Sequence, residues 1–92
     1  MLQLKNYMEV IVEEMIDSVL RDIKSCTCEN CRFDIAAIAL NNLPPRYAVT
    51  REGTLYSKLN LLQQQYDIDV ITQITKAAEI VNRNPRHAVN VD

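Results

Sequence analysis

From residue 4 to residue 24, apolar side chains return at every third or fourth position: Leu4, Met8, Ile11, Met15, Val19 and Ile23. That interval follows the 3.6-residue turn of an α-helix and does not match the two-residue alternation of a half-buried strand. A second row, Val12, Ile16 and Leu20, runs beside the first and makes the face wider than the stripe of an ordinary surface helix. A helix this apolar needs cover on more than one side, either from its own core or from a second subunit.

The remaining chain continues in helices. "DIAAIALNNLPP" predicts a second one, capped by Asn30 or Asp34, with Ile35, Ile38, Ala39 and Leu40 as its apolar body and small Ala36 and Ala37 permitting close packing. Pro44 ends it, because a residue before proline is pushed out of the helical region. The Pro44-Pro45 pair runs extended into "RYAVT". Gly53, the only glycine, punctuates the chain before a third helix with Thr54 or Ser57 as cap and Leu55, Leu59, Leu62 and Tyr66 as its buried face. Asp67 is read as the cap of a fourth helix with Ile71, Ile74, Ala78 and Val81 inward, and Pro85 follows its last turn. The expected architecture is all-α, a compact domain spanning residues 1–92 with four helices, or five if a short turn is counted.

No uninterrupted apolar run resembles a secretory leader or approaches the ~20 residues of a membrane span, since Glu9, Glu13, Glu14 and Asp17 break the first helix. A cytoplasmic location with reduced thiols and no direct membrane insertion is expected. The net charge of −2 is a poor footprint for general nucleic-acid binding. The charge is uneven, however: residues 35–66 carry Arg46, Arg51 and Lys58 against Glu52 alone, so this middle segment is where an anion would bind.

All three cysteines fall in "SCTCENCRFD", spaced C-x-C-x-x-C. They lie too close together to staple distant segments, and an odd count leaves one without a partner, so a disulfide framework is disfavoured. Zinc explains the cluster better: a tight C-x-x-C turn presents Cys28 and Cys31 to one ion, and Cys26 adds a third thiolate. A closed structural site needs a fourth ligand, and the single histidine, His87, is the first choice, with Asp34, Glu29 or water as substitutes. A histidine returning from the tail would clip the C-terminus to the loop between helices one and two, which helps a small domain. A redox pair and a plain buried turn remain as alternatives, though no strand-turn-helix context of a thioredoxin type surrounds the motif.

Taken together, "CTCENCRFDIAAIALNNLPPRYAVT" and the closing "NPRH" resemble the late competence development protein ComFB family, and the resemblance covers essentially the whole chain. It implies a small all-helical homodimer with cysteine-ligated zinc in members that carry the cluster. Some members place a further cysteine near the C-terminus, where this chain has Val89 and His87. Cyclic-dinucleotide receptors also belong to the family. With the doubled apolar row, this leads to an expected interface on helix one, probed by Ile16→Glu. In "NNLPPRYAVTR", Asn41, Arg46, Tyr47 and Arg51 become the candidate ligand-binding residues: an arginine fork matches guanine O6 and N7, and a tyrosine ring stacks on a base.

No enzyme constellation is present. G-x-S-x-G and H-E-x-x-H are missing, one glycine cannot build a phosphate loop, and Glu9, Glu13 and Asp17 at i, i+4 spacing read as a solvated face. Two functions stay open: a non-enzymatic cyclic-dinucleotide (cyclic di-GMP or cyclic di-AMP) receptor signalling through an unidentified regulatory protein partner, or an interaction scaffold, associated with late competence or motility, without a small ligand.

Overall fold

The computed structural model describes residues 2–50 and 55–84; for residues 50, 55–60 and 62 only the backbone is described. Arg51, Gly53, Thr54 and His87 therefore lie outside the described residues, as do the side chains of Leu55, Ser57, Leu59 and Leu62. The chain is mostly helical. Strand β1 (Gln3–Asn6) leads into helix α1 (Tyr7–Asp22), followed by α2 (Glu29–Asn41), strand β2 (Tyr47–Thr50) and a long α3 (Leu55–Arg83). Both shorter helices pack on α3 and on each other.

The first departure from the sequence reading is at the N-terminus. Residues 3–6 are not helical but pair antiparallel with β2, in register Gln3 with Thr50 and Asn6 with Tyr47. Asn6 decides the boundary. Its side-chain oxygen caps α1 by accepting from Met8 N–H at 3.1 Å, and it also accepts from Arg46 N–H at 2.8 Å. Leu4, in phase with the helical row, instead stands on the strand and is 70% exposed.

The doubled row of α1 is buried within the single chain. Met8, Ile11, Val12, Ile16, Val19 and Leu20 all enter the core, and Ile16 is only 1% exposed. Ile16 thus presents almost no surface to a second copy, which corrects its expected place at the centre of an interface: α2 and α3 cover most of both rows. Ile23, the last residue of the first row, is partly exposed beyond the helix end.

The turn after α1 is closed by two hydrogen bonds, from Ser25 N–H to Leu20 C=O at 2.9 Å and from Lys24 N–H to Arg21 C=O at 3.1 Å. This is a Schellman cap, which needs a left-handed residue just after the helix. Lys24 takes it at φ 56°, where a side chain costs about 1 kcal/mol that glycine avoids. Lys24→Gly should therefore raise the melting temperature by several degrees, about 4–8 °C per kcal/mol for a domain of this size. An unchanged or lower value in thermal denaturation would contradict this account of the turn.

Asp67 does not cap a fourth helix; it lies inside α3, which is continuous. No glycine or proline occurs between residues 55 and 83, and one aspartate in a helix interior costs only about 0.6 kcal/mol relative to alanine. The inward face of α3 is Val70, Ile74, Ala77, Ala78 and Val81, with Tyr66 packed against its edge. Ile71, expected inside, is 42% exposed, and Val70 takes its place. On α2, Cys31, Ile35 and Ala39 are the buried positions, and Leu43 of the L-P-P segment is buried where the helix ends. No described helix is long and apolar enough to cross a membrane.

Candidate metal centre and the loop after the second helix

The turn at Lys24 delivers the chain directly into the cysteines. Cys26 lies in the connection, Cys28 is the N-cap of α2, and Cys31 falls in the first turn of that helix. The cap expected from Asn30 or Asp34 is thus supplied by sulfur: Cys28 Sγ accepts from Cys31 N–H at 3.5 Å. None of the three cysteines forms a disulfide.

Their Sγ atoms all lie within 4.8 Å of one another. A tetrahedral zinc with Zn–S bonds of about 2.3 Å sets its sulfurs about 3.8 Å apart, so small side-chain rotations would close the cluster on one ion. The thiol chemistry is split. The Cys31 backbone N–H, foremost, with further hydrogen bonds from the other two thiols and from Asn30 N–H, holds the Cys28 thiol below its ordinary value. Burial, followed by hydrogen bonds to Cys28 and Cys26, pushes Cys31 up to about 12. A metal-free Cys31 is therefore protonated at neutral pH, and a divalent ion must displace that proton to bind. The donor set fits zinc: soft sulfurs, a helix N-terminus favouring negative charge, and one buried and two half-buried side chains. Cys26, Cys28 and Cys31 would hold it, and the ion would cross-link the α1–α2 connection.

Two polar contacts brace this region. Asn82 Nδ2 donates to Ser25 Oγ at 3.0 Å, so the last turn of α3 lies against the residue before Cys26. Arg32 Nε donates to Asp17 at 2.8 Å, joining α2 to α1; this hydrogen bond holds the Asp17 carboxyl below its usual 3.8. The Ser25–Asn82 contact had no signal in the sequence, since 57 positions separate the two residues.

The loop after α2 places the other candidate residues. Asn41 is exposed at the C-terminal end of α2. Arg46 is pinned to α3: its Nε donates to Tyr66 Oη at 2.7 Å, its guanidinium carbon lies 5.1 Å from the Tyr66 ring centroid, and one Nη donates to Pro45 C=O at 3.4 Å. Tyr47 is 64% exposed and lines a different hollow of about 310 Å³, shared with Leu4, Asn6, Glu9 and Glu13. Arg46 and Tyr47 are thus neighbours directed to opposite sides, as successive residues of extended chain must be. Tyr66, read from sequence as core or rim, is the anchor of Arg46.

A mostly helical domain with a three-thiol cluster at a helix N-terminus defines a class of small helical proteins whose clustered cysteines could hold a metal ion. The profile of the family described as "Late competence development protein ComFB" matches residues 5–85, and the chain belongs to that family. It is similar to the competence protein ComFB of Bacillus subtilis (strain 168), with 26% identity over 83 residues, covering 89% of this chain and 85% of that one. The solved structure of the late competence protein ComFB from Bacillus subtilis superposes with a TM-score of 0.75 at 27% identity, over 90% of this chain and 94% of that one.

Proposed function

We propose that this chain is a non-enzymatic, zinc-stabilised homodimeric regulatory protein that receives a cyclic dinucleotide and passes the signal to a protein partner. The convergence of Cys26, Cys28 and Cys31 within 4.8 Å is the observation that supports the zinc most directly. His87 is proposed as the fourth ligand. The Ser25–Asn82 contact brings the end of α3 to the cysteine loop, and the four steps from Arg83 to His87 span up to about 14 Å.

Self-association is assigned to α3 in place of helix one. Leu61, Ile68 and Ile71 follow one another at intervals of seven and three and are all exposed, a seam suited to a second helix. Ile68 is 74% exposed, so Ile68→Glu should leave the protomer folded while converting a dimer to a monomer in light scattering at micromolar concentration. A protein that is monomeric before substitution refutes the dimer; a variant that stays dimeric refutes this seam.

The nucleotide reading rests on family membership together with the cation and ring at Arg46 and Tyr47. The Arg46 guanidinium is held in place by Tyr66, which lowers the cost of ordering it for a phosphate or a guanine edge. Calorimetry should detect micromolar binding of cyclic di-GMP or cyclic di-AMP, weakened at least tenfold, about 1.4 kcal/mol, by Arg46→Ala. Tyr47→Ala, at an exposed position, should weaken it without altering the melting temperature. Absence of heat or thermal shift at hundreds of micromolar sinks the receptor reading. One observation favours the scaffold alternative: the hollow beside Tyr47 holds Glu9 and Glu13 against Lys5 alone, a net negative lining that disfavours phosphate.

A further inference from the structure

An open groove of about 300 Å³ runs between α1 and α2. Val12 and Ile16 of α1 and Ala36 of α2 line it, and Phe33 stands at its edge with 61% of its surface exposed. The lining residues run from 9 to 16 on one helix and from 32 to 40 on the other. Seven helical steps are about 10 Å, so the groove is two turns long and bounded by helices on both sides. The small side chain of Ala36 lets a third helix approach at the spacing of ordinary helix packing, about 8–10 Å between axes.

The rim has a sign. Glu9 and Glu13, one turn apart on α1, are both exposed and line the groove, and neither forms an ion pair among the described residues. Arg32 also lines the groove and lies within electrostatic reach of Glu13, but its Nε is held by Asp17 at 2.8 Å. Lys5 stands in the neighbouring hollow beyond Glu9 and makes no ion pair with either glutamate among the described residues. The groove therefore combines an apolar floor with a net negative edge. Anionic ligands are disfavoured there, and a purely apolar occupant would leave the carboxylates unused.

We infer that this groove docks a basic amphipathic helix from a partner protein. Apolar residues of the partner at i, i+3 or i+4, and i+7 would span the two turns, packing on Phe33 and over Ala36, and its lysines or arginines would meet Glu9 and Glu13. This names a surface for the protein partner of the function proposed above and rests on that part of the reading, not on nucleotide binding.

The probe is a fluorescent 14-residue helical peptide with leucines at i, i+3, i+4 and i+7 and lysines on the flanks, titrated by anisotropy against the full-length protein. Micromolar binding is expected, weakened at least tenfold by Phe33→Glu and, separately, by Glu9→Lys combined with Glu13→Lys. All three positions are exposed, so unchanged melting temperatures establish that the variants are folded. The same peptide with glutamates replacing its lysines should not bind. No binding at hundreds of micromolar overturns the inference, as does binding that either variant leaves intact. Conversion of a dimer to a monomer by Phe33→Glu also overturns it, because a second copy would then occupy the groove. Cyclic-dinucleotide titrations of the same variants separate the two readings: peptide binding without nucleotide binding leaves this inference standing while the receptor reading fails.

Discussion

Cys28→Ser should reduce bound zinc from one ion per chain to a small fraction and lower the melting temperature by at least about 10 °C. Serine is the informative replacement. Cys28 is the N-cap of α2, and serine is among the strongest capping residues, so the helix start survives while the thiolate is lost. Cys31 would be a poorer choice, since it is fully buried and a hydroxyl there would add its own desolvation cost. Structural zinc contributes on the order of 10 kcal/mol in small peptides. This chain has an apolar core of its own, so a part of that figure is expected here, and a loss of about 2 kcal/mol would account for the shift. His87→Ala should act in the same direction more weakly, because water fills a tetrahedral vacancy. The pH dependence follows from the thiols. Zinc must displace the proton that burial holds on Cys31, so uptake releases protons, and lowering the pH should strip the ion and remove its contribution to stability. Elemental analysis and melting with and without a chelator decide the matter. A protein purified without metal, with a melting temperature that neither zinc nor chelator changes, would falsify the metal centre.

Ile16→Glu should unfold the chain rather than merely dissociate it. Ile16 is 1% exposed within the single chain, in a core shared by all three helices. A carboxylate there must be desolvated without a partner or must take up a proton, and the site also loses the packing of the isoleucine. Losses above about 4 kcal/mol belong to this class of substitution, against a total stability of roughly 5–15 kcal/mol for a domain. Circular dichroism should show helix content collapsing at 25 °C, or a melting temperature lower by at least about 15 °C. Ile16→Val, which removes one methylene, should cost only about 0.5–1.5 kcal/mol. A folded Ile16→Glu protein would mean that this side chain faces outward in solution.

Periodicity by itself was enough to determine that the chain is mostly helical, because burying an apolar face requires the 3.6-residue interval in α1 and α2. The thiol cluster was likewise legible, since a C-x-C-x-x-C run brings thiols together whatever the rest of the chain does; the 4.8 Å cluster follows from local geometry. Local signals failed wherever distant segments competed. Leu4 fits the helical phase, but pairing with Val49 across 45 positions holds it in a strand. Asp67 looks like a cap, yet packing along Val70, Ile74 and Ala78 keeps α3 unbroken through it. Whether the second apolar row of α1 faced a core or another subunit could not be read from spacing at all, since both surroundings remove the same side chains from water. Only the positions of α2 and α3 decided it, and they moved the surplus apolar surface to Ile68 and Phe33. Arg46 was legible as a cation in a positive segment, but its attachment to Tyr66 depends on where α3 lies. Helix type and thiol clustering are set by neighbours in sequence; which face is covered, and which charge is free to meet a ligand, is set by contacts the chain makes only after it has folded.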